Sequence, residues 1–344
     1  MIIGVTGYGF SGSSAVYDLL KEYDDNIFIK TNRVCEFSIA YESDGLFDLE
    51  KNVLYYPMKH IKGDIATYRF INFCRFYSKM YNRMTNNKFD KITEEFINSI
   101  IQVKYKNRRI SKHGNNLISR FLLKVLGKIQ ITIEEKIKKK VNLLKEDDCY
   151  ICNYPDDFVE KARKYIEEIL KASNLYVGEK NILLDQPFPP NQPEVVFHYF
   201  SSPKAIVVDR DPRDIYLTVK NMRYTSGRFI PHDNVDDFIK YYRAVRQGES
   251  NNSDVMRIHF EDLLYNYDET ISKIEGFFKL ENHNNKFLYF DPKKSINNTQ
   301  LKYVFLKDAE DISKIEMELS EYLYDFDHYD FKPNHQGIYE MASW

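Results

Sequence analysis

The 344 residues hold 49 Lys and Arg against 51 Asp and Glu, a formal net charge of −2, so global charge argues neither for nucleic acid nor for a membrane surface as partner. With 43% hydrophobic residues the chain can bury a sizeable core, and its length suits a single α/β domain over 1–344 that carries a large insertion. Met1-Ile2-Ile3-Gly4-Val5 leads directly into a glycine loop with no basic segment or cleavage site, no apolar run reaches the ~18 residues of an integral membrane segment, and Cys35, Cys74, Cys149 and Cys152 read as free thiols of a cytoplasmic protein.

The elements follow in chain order. Residues 2–6 read as a short buried strand, 13–23 as a helix with Ala15, Val16, Leu19 and Leu20 at helical spacing, and 26–30 as a second strand. From about 59 to 172 glycine and proline almost vanish, and helical periodicity recurs over 65–84, 91–105, 116–127, 133–144 and 155–171. This stretch is expected to be a mostly helical insertion over the strand ends. Its centre, from Lys104 to Lys145, is strongly basic, with Glu134 and Glu135 as the only acidic residues, and reads as a solvated face or as a groove for an anionic substrate or partner. Cys149 and Cys152 have CxxC spacing, but no second pair completes a zinc site, and the eight histidines are scattered, so no metal is expected. A strand at 181–184 ends on Asp185, ahead of the rigid Gln186-Pro187-Phe188-Pro189-Pro190. Residues 194–200 are helical or a turn. Residues 204–209 form the clearest strand of the chain, followed by a helix with Asp211 as N-cap and Pro212 at its first position. A helix at 235–246, a strand at 255–259, a long helix at 261–278 and a late helix at 312–324 complete the pattern.

Two corners carry the chemistry. Gly7-Tyr8-Gly9-Phe10-Ser11-Gly12-Ser13-Ser14 has the spacing of a phosphate loop between a strand and a helix. Glycines let backbone N–H groups turn inward around a phosphate, and the helix behind adds its positive end. The lysine that would reach the outer phosphates of a triphosphate is replaced by Ser13, which disfavours ATP or GTP hydrolysis. The second corner is the end of the best strand, where Arg210 offers a planar fork of donors and Thr218 lies eight residues on along the next helix. Two phosphate sites at two strand–helix corners suit a nucleotide phosphorylated at both ends.

On these residues the chain resembles the sulfotransferases that use 3′-phosphoadenosine-5′-phosphosulfate (PAPS). Ser11-Gly12-Ser13-Ser14 is similar to the family's 5′-phosphosulfate loop. Arg210-Asp211-Pro212-Arg213-Asp214 with Thr218 is similar to its 3′-phosphate motif, and 255–264 to a further family stretch. The resemblance spans roughly 1–45 and 180–330 and leaves the helical middle unmatched. It implies a P-loop-like central parallel sheet flanked by helices, PAPS as donor without a metal requirement, and a nucleotide held by Gly9, Phe10, Ser11, Gly12, Ser13, Ser14, Arg210, Thr218 and a late basic loop ending near Lys302. The family often has Lys or Arg where this chain has Phe10, so another cation must serve, with Arg33, Lys59, Lys294 and Lys302 as candidates.

Sulfuryl transfer also needs a base for the acceptor proton. Glu36, shortly after the second strand, is the first candidate by resemblance to carbohydrate sulfotransferases. Asp185, at a strand end, is the second; Asp44 reads as a turn residue, and His198 as structural or as a neighbour of the acceptor. The expected acceptor is a hydroxyl or amine of a carbohydrate, such as a bacterial surface polysaccharide or glycolipid precursor, with no nucleic-acid partner. A small-molecule P-loop kinase and a non-catalytic polyanion-binding module are the alternatives.

Overall fold

A computed structural model describes residues 1–29, 36–55, 60–107, 117–141, 146–176, 179–221, 229–284 and 286–333. Arg33, Cys35 and Lys59, part of the basic run and the end of the helix expected at 133–144 lie outside the described residues. Among those described the strands are β1 (Ile2–Gly7), β2 (Asn26–Phe28), β3 (Val103–Asn107), β4 (Asp147–Ile151), β5 (Asn181–Asp185), β6 (Pro203–Asp209) and β7 (Val255–His259). The α-helices are α1 (Ser13–Leu20), α2 (Leu46–Glu50), α3 (His60–Met84), α4 (Phe89–Ile100), α5 (Leu117–Ile137), α6 (Phe158–Ala172), α7 (Pro212–Asn221), α8 (Val235–Val245), α9 (Asp262–Tyr265), α10 (Tyr267–Phe278), α11 (Pro292–Ser295) and α12 (Ala309–Glu318). The chain divides into two compact units, Met1–Tyr41 with Leu170–Trp344, and Glu42–Ile169.

The first unit is built on a five-stranded parallel sheet in the order β2-β5-β1-β6-β7, flanked by helices. Its central strands are continuous apolar runs because helices cover both faces: Ala205, Ile206, Val207 and Val208 of β6 are all fully buried. On one face, Ile3 and Val5 of β1 and Ile206 and Val208 of β6 pack with Val16, Leu19 and Leu20 of α1 and with Ile274 and Phe278 of α10. The alternate positions of β1 point the other way, where Gly4 gives Phe188 its room: a Cβ there would lie 2.2 Å from that ring. A separate cluster joins α7, α8 and α12 through Leu217, Val219, Phe238 and Ile315. The start of α7 follows its sequence, since Asp211 Oδ1 accepts from the Arg213 N–H at 2.8 Å and Pro212 occupies the first turn, where no N–H is needed.

The second unit packs α3, α4 and α6 around aromatic side chains. Phe96 stacks on Tyr165 at 4.6 Å, and Phe70 meets both edge-on. Here the structure corrects the expected boundaries. The helix expected at 91–105 stops at Ile100, and Val103–Asn107 instead pairs antiparallel with Asp147–Ile151. The alternation Val103-Lys104-Tyr105-Lys106 has the two-residue period of a strand, and the ladder takes up backbone groups that an exposed helix end would leave to solvent. The helices expected at 116–127 and 133–144 are one continuous α5, because Gly127 merely lowers helix propensity and has nothing packed near it. In the first unit, 261–278 is divided at Asn266 into α9 and α10, and the late helix covers Ala309–Glu318, followed by a 3-10 turn over Ser320–Tyr322. Among the described residues Cys74, Cys149 and Cys152 are buried and form no disulfide, and burial pushes the Cys152 thiol up to about 11.

Candidate functional site

Strand order places the site. After β1 the chain leaves through α1 toward β2 at one edge of the sheet. After β6 it leaves through α7 and α8 toward β7 at the other. Adjacent parallel strands whose connections diverge open a crevice beyond their carboxyl ends. Gly7 of β1 aligns with Val208 of β6, so the glycine loop and the Arg210 segment line the same crevice.

The loop is held in a shape that ordinary residues resist. Gly9, Phe10 and Gly12 have φ of 85°, 54° and 87°. A Cβ on Gly12 would also lie 2.5 Å from the Phe260 ring, and one on Gly7 would lie 2.1 Å from Ser11 Oγ. Gly12 is the N-cap of α1 and brings no side-chain cap, and the first turn has no acidic residue. The first N–H groups of α1 therefore remain available to an anion, with the positive end of the helix behind them. Ser11 is fully buried, and its Oγ has no hydrogen-bond partner among the described residues. Ser13 Oγ accepts from Gln186 Nε2 at 2.9 Å, which leaves its own O–H to donate. Ser14 is exposed on the first turn.

Arg210 ties the two corners together. It is only 2% exposed. Its guanidinium donates to the Phe10 carbonyl at 2.9 Å, to Thr218 Oγ1 at 3.3 Å and to the Asn298 carbonyl, while Nε has no partner among the described residues. Thr218 Oγ1 in turn donates to the Asp214 carbonyl at 2.6 Å. Three buried carboxyls stand around this arginine. Asp214 accepts from the Gln300 and Leu301 N–H groups, both at 2.8 Å; Glu261 accepts from Asp211 N–H; and Asp211 pairs with Arg213 at 2.6 Å. Burial, then the Asp211 charge, pushes the Asp214 and Glu261 carboxyls up, while Arg210 opposes the shift.

The acidic candidates lie on the β2–β5 side. Asp185 ends β5, is 8% exposed, and has one carboxylate oxygen without a partner among the described residues. Burial first, then the negative charge of Glu36, raises its carboxyl to about 7, with Lys21 opposing. Glu36 is exposed, and the next residue donates its N–H to the Asp185 carbonyl at 2.7 Å. The two carboxyls therefore sense each other at one strand end. Lys302 is turned to Glu316 at 3.1 Å, the carboxylate that also takes Arg213. Lys294 is exposed on α11, Asp44 sits in a turn with φ of 64°, and His198 is half-buried with its ring 4.0 Å from that of Tyr199.

Two features escaped sequence reasoning. Gln186, with φ of 50°, accepts from Thr6 Oγ1 at 2.9 Å and Gly7 N–H at 3.3 Å while donating to Ser13, so one amide spans both ends of the glycine loop. Its only signal was its place after Asp185. Arg246 is buried beside the loop. It pairs with Asp209 at 2.7 Å and lies over the rings of Tyr8 at 4.2 Å and Tyr242 at 3.6 Å. Tyr8 donates to Glu249, and burial pushes its hydroxyl up. No protein-family model matches the chain, and no curated protein is significantly similar to it.

Proposed function

We propose that this protein is a PAPS-dependent sulfotransferase with a P-loop-like nucleotide site, acting on a hydroxyl or amine of a carbohydrate acceptor such as a surface polysaccharide or glycolipid precursor. The observation that carries the reading is the Arg210 guanidinium, buried between the Phe10 main chain and Thr218. It brings a forked cation to a glycine loop that lacks the lysine of a triphosphatase. Among the described residues, unpartnered Ser11 Oγ and Arg210 Nε, an uncapped N-terminus of α1 and a loop that excludes Cβ atoms fit an anionic group seated there.

In the reaction, an acceptor oxygen attacks sulfur as the bond from sulfur to the bridging phosphate oxygen breaks. The acceptor proton passes to a carboxylate, and the electron pair leaves with adenosine 3′,5′-bisphosphate. Serine hydroxyls and helix N–H groups stabilise that developing charge, while Arg210 and Thr218 hold the 3′-phosphate. Of the two acidic candidates, Asp185 has the proton affinity suited to a base near neutral pH, and Glu36 beside it tunes that affinity. Lys302, engaged by Glu316, would have to exchange partners to reach a nucleotide.

Calorimetry with adenosine 3′,5′-bisphosphate tests the reading. We expect binding without magnesium, weakened about tenfold or more in Arg210→Lys, which keeps the charge but loses the fork. Ser11→Ala, which breaks no hydrogen bond among the described residues, should also bind more weakly. Absence of binding by the folded wild type, or tighter binding of magnesium-ATP, would refute it, the latter in favour of a kinase.

A further inference from the structure

We infer that α5 (Leu117–Ile137) is an interfacial helix that lays this protein on an anionic lipid surface. Leu122, Val125, Leu126, Ile129 and Ile133 recur at the spacing of one helical face. Among the described residues nothing buries that face fully: Leu122 is 52% exposed, Ile129 45%, and Phe121 at its border 67%, with Ile133 half-buried. Soluble helices bury such a stripe, so this one is left for another phase or partner.

Charge selects the occupant. Lys124 and Lys128 stand one turn apart toward the polar side of the same helix and are exposed. Past its end Lys138 turns the chain with φ of 52°, and Lys138, Lys139 and Lys140 are exposed as well. Of the two acids in this stretch, Glu134 is held locally, accepting from Gln130 and from the Val141 N–H at 2.9 Å, and that backbone bond is the main cause of its lowered proton affinity. A second copy packed on this face, in either direction, would set basic ends beside basic residues, because Lys124 lies toward one end and Lys136 to Lys140 at the other. An anionic bilayer takes the stripe into its acyl boundary and the lysines to its headgroups. No described helix is long and apolar enough to cross a membrane, so α5 lies along the surface over about 30 Å of helix. This inference does not depend on the sulfotransferase reading, and its test uses no nucleotide.

Vesicle flotation of the full chain decides it. With vesicles of roughly one-third phosphatidylglycerol in phosphatidylcholine the wild type should float, and with phosphatidylcholine alone it should bind about tenfold more weakly or less. Leu122→Glu with Leu126→Glu, at exposed positions, should abolish flotation while leaving circular dichroism and melting unchanged. Lys124→Glu with Lys128→Glu should erase the preference for phosphatidylglycerol. Wild type that stays unbound with both vesicle types, or glutamate variants that float as the wild type does, overturn the inference. So would a dimer in light scattering that the leucine substitutions dissociate, since the face would then belong to a second copy.

Discussion

Replacing Asp185 with asparagine should make the protein more stable at alkaline pH and not at acid pH. The carboxyl is 8% exposed with one oxygen unpartnered among the described residues. Burial and the Glu36 charge hold it at about 7 rather than the ordinary 3.8. Between those values the unfolded chain has released this proton while the folded chain retains it. Stability therefore falls as pH rises through that window and stays reduced above it. Each tenfold change in proton affinity corresponds to about 1.4 kcal/mol, so the penalty near pH 8 is about 4 kcal/mol. An asparagine has no charge to desolvate, but its new N–H donors need partners, which offsets about 1–2 kcal/mol. Urea unfolding of Asp185→Asn should thus show a gain of about 2–3 kcal/mol near pH 8 that turns into a loss of about 1 kcal/mol near pH 4. A gain of the same size at both pH values, or a loss near pH 8, would show that Asp185 is not a strained buried acid. If Asp185 is also the base, the stabilised variant should lose sulfuryl transfer, and wild-type activity should rise with pH through about 7.

Other expectations concern the loop. Gly12→Ala places a Cβ 2.5 Å from the Phe260 ring at a φ of 87° and should cost about 2–4 kcal/mol in thermal or urea unfolding; a neutral effect would mean that the loop relaxes freely. Gln186→Ala removes an amide that contacts Thr6, Gly7 and Ser13, and should cost about 2–3 kcal/mol and raise amide exchange in the glycine loop. Unchanged exchange there would assign the loop's shape to its glycines alone.

Local rules read along the chain recovered the units whose partners are near in sequence. The β1–glycine loop–α1 corner and the β6–Arg210–α7 corner stood out because glycine spacing, strand composition and the Asp211-Pro212 helix start are each local signals. Pairings across long separations left weaker traces. The β3–β4 ladder joins segments some forty residues apart, and Lys-rich alternation at Val103–Asn107 could be read as helix until its partner was known. The periodic stretches 116–127 and 133–144 read as two helices, yet an exposed helix tolerates one glycine, and α5 runs through Gly127. At the site, Lys302 belonged to the expected basic loop, but Glu316, on the helix that also anchors Arg213, is the carboxylate within its reach.

By itself, the amino-acid sequence determined a glycine loop without a lysine after the first strand, an arginine after the strongest strand, and a basic, helix-forming stretch in the middle of the chain. Each depends on residues close together in the chain, where backbone preferences and side-chain period act directly. Tertiary structure alone decided that Arg210 reaches the Phe10 carbonyl, that Gln186 holds both ends of the loop, and that Asp185 lies buried within reach of the Glu36 charge. Those facts depend on strand order and on burial. The β2-β5-β1-β6-β7 order brings residues 180 or 200 positions apart into hydrogen-bond range, and removal from water changes what a carboxyl or a guanidinium does there.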